Sequence, residues 1–182
     1  YNAAHHANEW ITAPLLMKFL ENYAHSFAFG EKIGDFDAKT LYSGATLYAM
    51  PMVNPDGVSL VTGELTSGGY YERAVEIAAD YPAIPFPNGW KANVAGIDTN
   101  LQYPAGWEDA RKIKFAQGFT TPAPRDYVGT MPLEAPESRA VYELTRQNDF
   151  ALIVSFHAQG EVIYWQYGEN QPEGAQAFGE RL

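Results

Sequence analysis

Tyr1-Asn2-Ala3-Ala4-His5-His6-Ala7-Asn8-Glu9-Trp10 opens the chain, and its reading decides what surrounds it. Tyr1 to Ala4 reads as the end of a strand already under way, and a helical pattern takes over directly after Trp10. Between the two, His6 and Glu9 stand three residues apart. Residues i and i+3 share a face on a helical turn, so an imidazole nitrogen and a carboxylate oxygen can grip one ion together. Catalytic zinc commonly has three protein ligands and one open position, which calls for a third ligand elsewhere. The chain has 4 His, at positions 5, 6, 25 and 157. His157 closes the apolar run Ala151-Leu152-Ile153-Val154-Ser155-Phe156-His157, which places it at the tip of a buried strand. His6, Glu9 and His157 are therefore the expected metal triad. Each piece alone has a plainer reading. Glu9 favours the positive end of a helix dipole whether or not a metal is near. His5, at i+4 from Glu9, competes with His6. A histidine at a strand tip is often a hydrogen-bonded core residue.

Composition limits the alternatives. At 182 residues the chain is one domain or most of one, and 46% hydrophobic with 14% aromatic residues is enough for a real core. The formal charge is -10, from 12 basic and 22 acidic residues. Phosphate backbones need a basic surface, so nucleic acid is not the expected partner. A local Lys or Arg is still enough to hold an anionic small substrate. With Cys at 0, disulfides, thiolate ligands and thiol nucleophiles are excluded. No apolar run approaches the length of a membrane span, and the start lacks the pattern of a signal peptide. Both ends look cut, so the expectation for 1–182 is part of a catalytic domain from a longer protein. Oligomeric state is not legible.

Taken in order, residues 11–29 carry Leu15, Leu16, Phe19, Leu20 and Tyr23 at helical spacing. Ala45 to Met52 reads as a buried strand, stopped by the turn chemistry of Asn54-Pro55-Asp56-Gly57. Val58 to Thr66 suits a strand, and Tyr71 to Tyr81 has helical composition. Gly96 to Asn100 reads as a strand with a polar tip. Residues 101–133 form a long region rich in Pro, Gly and Tyr, and loops of that length are usually functional. Glu134 to Asn148 is a second helix, strand 151–157 follows, and Glu161 to Trp165 reads as another strand. Gly174 to Leu182 reads as the start of a further helix. Strands alternating with helices predict an α/β sandwich with a mostly parallel sheet, whose sites gather at the carboxyl ends of strands. His6, Asn54, Asn100 and His157 all fall just past such ends.

These motifs, in this order, resemble the zinc carboxypeptidases of the carboxypeptidase A family. The resemblance rests on His6-Ala7-Asn8-Glu9-Trp10, Asn54-Pro55-Asp56-Gly57, Asp98-Thr99-Asn100, Tyr127-Val128-Gly129 with Pro132 and Glu137, and Ser155-Phe156-His157. It implies a three-layer α/β/α fold with a mixed, mostly parallel sheet. It also implies one Zn2+ per chain on His6, Glu9 and His157. Three departures stand out. Where digestive members carry an Arg that clamps the substrate's terminal carboxylate, a bidentate task, this chain has Leu101. Where members carry an Arg that faces the carbonyl oxygen, it has Lys91. The Arg inside the first motif is replaced by Asn8.

Trp90-Lys91-Ala92-Asn93, Asn100 to Trp107, His157-Ala158-Gln159-Gly160-Glu161 and Ile163-Tyr164-Trp165 are most similar to the bacterial γ-D-glutamyl–diamino acid endopeptidases, which cut peptidoglycan stem peptides. That likeness implies cell-wall, spore-associated or exported action on a substrate rich in carboxylates. Lys91 is the expected catalytic group at the carbonyl oxygen. Asn100, Gln102 and Arg125 are the expected substrate-binding residues, although each also reads as an ordinary solvated loop residue. The family's general base lies well downstream of the last zinc histidine. None of Glu161, Glu169, Glu173 and Glu180 matches its position, so the base is expected beyond Leu182. Three other functions share some of these features: an ordinary zinc carboxypeptidase, a non-catalytic peptidoglycan-binding module, and a deacylase of N-acyl amino acids.

Overall fold

The backbone at the start of the chain bonds to parallel neighbours on both sides. The structure is a computed structural model that describes residues 1–165 and 174–180. Strand β1 (Asn2–Ala3) pairs in parallel with β4 (Ser155–Phe156), in the register Asn2↔Ser155 and Ala3↔Phe156. On its other side Asn2 forms a parallel bridge with Met50. The Asn2 N–H donates to the Val154 carbonyl at 2.9 Å and the Ala3 N–H to the Met50 carbonyl at 3.1 Å. The first residues are thus the middle of a small parallel sheet. Its carboxyl ends all run into site residues: β1 into His5 and His6, β4 into His157, and the Met50 segment into Asn54. A separate hairpin joins β2 (Lys32–Ile33) to β3 (Phe36–Asp37).

Helices make up most of the remaining regular structure. Helix α1 (Thr12–Phe29) carries Pro14 in its first turn, where a missing N–H costs little, and ends at Gly30 in the left-handed region. Leu16 is its fully buried apolar residue, whereas Leu15 of the expected face points out. Helices α2 (Ala38–Gly44), α3 (Pro55–Thr62), α4 (Gly69–Ala79), α5 (Trp107–Ala116), α6 (Pro136–Gln147) and α7 (Ala175–Gly179) follow. α3 and α4 pack Leu60, Ala74 and Ile77 on Trp90, Ala92 and Ala7. This seats the helices directly behind the first motif. Ile97, Ala123, Tyr127 and Ala135 form a second cluster under α5 and its loop.

Several expectations change. The structure is helix-rich with small sheets, and its parallel pairings are far shorter than the apolar runs that suggested them. Only Met50 of 45–52 pairs, only Ser155–Phe156 of 151–157, and 162–165 takes no strand conformation. An apolar run signals burial, but a strand needs a neighbour to bond to. Among the described residues β1 is the only neighbour for these runs, and it is two residues long. Val58 to Thr62 is helical rather than extended. Asn54-Pro55-Asp56-Gly57 carries turn chemistry, yet the same residues start a helix well. Asn54 caps by accepting from the Gly57 N–H, Pro55 sits in the first turn, and Asp56 favours the dipole. The long 101–133 region contains α5, with Glu108 and Asp109 at its start and Lys114 at its end. Gly96 to Asn100 is a loop leading into a 3-10 turn, Thr99–Leu101. Glu169 and Glu173 lie outside the described residues.

Candidate metal centre

The His6–Glu9 spacing is realised on one 3-10 turn, Ala7–Glu9, with His6 at its extended N-cap. That turn is held from outside. The Ala7 N–H donates to the Lys91 carbonyl at 3.0 Å, and the Lys91 N–H to the Pro124 carbonyl at 2.7 Å. Asn54, fully buried, donates from Nδ2 to the carbonyls of His5 (3.2 Å) and Ala92 (3.0 Å). Thr99 Oγ1 also donates to the His5 carbonyl, at 2.7 Å. Gly57 makes room for this clasp, since a Cβ there would meet Asn54 Oδ1 at 2.5 Å and the Ala92 carbonyl at 2.8 Å. The backbone of the first motif is therefore fixed before any ligand arrives.

His6, Glu9 and His157 converge. His6 Nδ1 lies 3.1 Å from Glu9 Oε1, His157 Nδ1 lies 2.9 Å from Glu9 Oε2, and the two Nδ1 atoms are 3.2 Å apart. Ligands bound to zinc at 2.0–2.2 Å in a tetrahedron stand about 3.3 Å from one another. The separations, which run to the two different oxygens of Glu9, are of that order, and one ligating atom from each residue lies within 4.8 Å of the others. Two imidazole nitrogens facing each other beside a carboxylate need a cation or a shared proton between them, so the donor set fits zinc in chemistry as well as spacing. His6 and Glu9 are buried and His157 is exposed, which leaves the cluster open on the His157 side.

The other nitrogen of His6 is also occupied. His6 Nε2 is 3.2 Å from Asp98 Oδ1. Asp98 also accepts the backbone N–H groups of Asn100 (3.2 Å) and Asp126 (3.1 Å). Metal-bound histidines usually donate their second ring N–H to such a carboxylate, which fixes the tautomer and leaves the first nitrogen free to bind. Asp98 was legible only as part of the Asp98-Thr99-Asn100 motif. The signal that could have assigned it is the need of any ligating His for an outer partner.

Electrostatics follow from this crowding. Burial opposes charge on His6, but its hydrogen bonds to Asp98 and Glu9, and their charges, push its pKa up to about 9. Burial likewise opposes ionisation of Glu9, yet hydrogen bonds to His157 and His6 and the charge of Lys91 hold it well below the usual carboxylate range. Asp98 stays low despite full burial, through its bond to His6. His5 behaves in the opposite way. Burial, then the neighbouring His157 and His6, bring it down to about 4. Its Nε2 is bonded to the Tyr103 hydroxyl at 2.8 Å, and its ring stacks on His157 at 5.9 Å. The structure therefore gives the converging position to His6 and places His5 beside it.

The remaining expected residues fall in different settings. Lys91 reaches the cluster: buried, its Nζ lies 3.2 Å from Glu9 Oε1 and donates to Gln159 Oε1 at 2.8 Å. Asn100 is exposed on its 3-10 turn. Arg125 is half-buried and donates to Asp126 Oδ2 at 2.6 Å, while Lys114 pairs with the other oxygen of Asp126 at 2.6 Å. Gln102 is fully buried with both ends of its amide engaged. Its Nε2 donates to the carbonyls of Val128 and Met131, and its Oε1 accepts the Ala135 N–H at 2.8 Å. Gly129, at φ 81°, leaves room for that amide, since a Cβ there would stand 2.6 Å from Gln102 Nε2. The structure does not bring Gln102 to the open side of the cluster. It ties the 99–102 turn to the 128–135 loop.

Comparison with known proteins gives the family. The family profile described as zinc carboxypeptidase matches residues 1–178, and the chain belongs to that family. That family is a zinc family, and His6, Glu9 and His157 form a group that could bind the metal. The chain is 41% identical over 182 residues to gamma-D-glutamyl-L-diamino acid endopeptidase 1 of Lysinibacillus sphaericus, covering 100% of this chain and 44% of the relative. It is 37% identical over 177 residues to the protein YqgT of Bacillus subtilis (strain 168), covering 97% of this chain and 45% of the relative. Carboxypeptidase Z of Gallus gallus is 28% identical over 141 residues, 74% of this chain and 18% of the relative. The chain thus spans less than half the length of these relatives. No solved structure gives a significant match. Among the described residues, no helix is long and apolar enough to cross a membrane.

Proposed function

We propose that the protein to which this chain belongs is a zinc-dependent peptidase that hydrolyses the γ-D-glutamyl–diamino acid bond of bacterial cell-wall stem peptides. The observation that carries this reading is the convergence of one ligating atom each from His6, Glu9 and His157 to within 4.8 Å of one another, with the Lys91 ammonium 3.2 Å from Glu9 Oε1. Zinc bound there supplies Lewis-acid polarisation of the scissile carbonyl and a bound water of lowered pKa. His6, Glu9 and His157 hold the ion, and Asp98 keeps His6 in the ligating tautomer. Lys91 holds the negative charge that grows on the carbonyl oxygen as water oxygen adds to carbon. The C–N bond then breaks, the carbonyl re-forms, and the amine leaves with a proton that came from the attacking water. The role of general base is assigned to none of the described residues. The carboxylates bonded to the cluster, Glu9 and Asp98, are both committed to imidazoles.

The substrate class is supported by the name of a relative matched across the whole of this chain. Leu101 supports it too, because an apolar side chain at the family's clamp position offers no fork to a terminal carboxylate. Asn100 and Arg125 are proposed contacts for the substrate's carboxylates. Such a substrate favours action at the cell wall, on a spore or outside the cell over the cytoplasm. The parallel pairings on both sides of β1 support a three-layer α/β/α arrangement with a mixed, mostly parallel sheet. The test compares the full-length, zinc-loaded protein on a γ-D-glutamyl–diaminopimelate peptide and on a plain peptide with a free C-terminus. Preferential cleavage of the first is expected. Efficient trimming of the second alone would instead make it an ordinary carboxypeptidase.

A further inference from the structure

The ammonium of Lys91 is held from two sides. Its side chain is 11% exposed, and Nζ lies 3.2 Å from Glu9 Oε1 and 2.8 Å from Gln159 Oε1. A lysine ammonium sits at the end of a flexible four-carbon stem and has three donors with no preferred plane. One bond to Glu9 would let it swing about that carboxylate. Two bonds fix it and leave the third N–H pointing one way. The segment that carries Gln159 is anchored on the same carboxylate, because the Ala158 N–H donates to Glu9 Oε2 at 3.2 Å. Glu9, Lys91, Gln159 and Ala158 therefore close a ring. An ammonium can only donate, so the Gln159 group facing it is the carbonyl oxygen, and the NH2 is directed away.

From this geometry we infer that Gln159 is the positioning residue of Lys91, fixing its free N–H toward the substrate carbonyl. Lysine and glutamine together then do what a planar guanidinium does alone. The inference rests on the reading of Lys91 given under the proposed function.

The test uses the full-length, zinc-loaded protein and has two readouts. The first is acetylation of Lys91 by acetic anhydride, followed by mass spectrometry against exposed Lys18. Gln159→Ala raises the Lys91 rate severalfold, and Gln159→Glu, which keeps an acceptor, does not. The second is turnover of the γ-D-glutamyl–diaminopimelate peptide. Gln159→Ala lowers kcat roughly ten- to a hundredfold, with KM and zinc content little changed. In a Lys91→Arg background, where the guanidinium orients itself, the same change alters kcat by less than about twofold. Unchanged Lys91 acetylation in Gln159→Ala, or an equal fall in kcat in both backgrounds, overturns the inference. A wild-type protein that cleaves nothing, yet whose Lys91 is unmasked by Gln159→Ala, leaves the tether standing and removes the peptidase reading instead.

Discussion

Asp98→Asn separates a ligand-orienting carboxylate from a merely buried acid. The substitution keeps shape and removes charge. In the native site Oδ1 faces His6 Nε2 at 3.2 Å and the Asn100 N–H at 3.2 Å, while Oδ2 accepts the Asp126 N–H at 3.1 Å. Asparagine has one oxygen and one NH2. With the oxygen toward His6, the NH2 confronts the Asp126 N–H. With the NH2 toward His6, Nε2 must become an acceptor, so the ring proton moves to Nδ1 and the ligating lone pair is lost. Either orientation breaks a buried bond and removes the charge that strengthens the imidazole as a ligand. Loss of such an outer partner typically weakens metal affinity ten- to a hundredfold, about 1.4–2.7 kcal/mol. The assay is zinc affinity by competition with a chelator at fixed pH, with circular dichroism to show that the variant is folded. A folded Asp98→Asn protein that binds zinc within about twofold of wild type would refute the orienting role.

Three further outcomes follow from the same geometry. His5→Ala is expected to retain zinc, because the structure turns His5 to Tyr103 rather than to Glu9; loss of zinc in that variant would move the ligand. Asn54→Ala strips hydrogen bonds from His5, Ala92 and Gly57 in a fully buried clasp, and is expected to cost about 3 kcal/mol in chemical denaturation. A cost within error of zero would contradict the clasp. The zinc-free protein should lose stability with rising pH through this site. The folded pKa of His6, about 9, lies above its ordinary 6.5, so the stabilisation is complete below about pH 6.5 and is lost as pH rises through 9. Glu9 acts in reverse, its contribution being present above its ordinary 4.5 and lost as pH falls. Urea midpoints at pH 6.5 and 9 check the first effect; a His6→Gln protein with the same alkaline slope as wild type would contradict it.

The convergence of His6, Glu9 and His157 was legible because its chemistry is local. An imidazole and a carboxylate three residues apart stay adjacent on an α or a 3-10 turn alike, and a histidine ending an apolar run stays at a strand tip even when only two of its residues pair. The strands around them were not legible in length, since pairing depends on a neighbour that periodicity does not supply. Asn54-Pro55-Asp56-Gly57 was ambiguous for a different reason: turn chemistry and helix-start chemistry use the same residues. Gln102 shows the limit for polar loop residues. Nothing in its sequence distinguishes an amide offered to a substrate from one buried against the carbonyls of Val128 and Met131. Asp98 and Gln159 were visible as letters of motifs, but their roles depend on contacts with His6 and Lys91 across long separations in the chain.

The most direct measurement is elemental zinc on the dialysed protein, made alongside His6→Ala, Glu9→Ala and His157→Ala. About one equivalent in the wild type, lost in each variant while folding is retained, is the expected result. Zinc that persists after removal of His157, or a folded wild type that takes up none when it is supplied, would contradict a His6–Glu9–His157 metal centre.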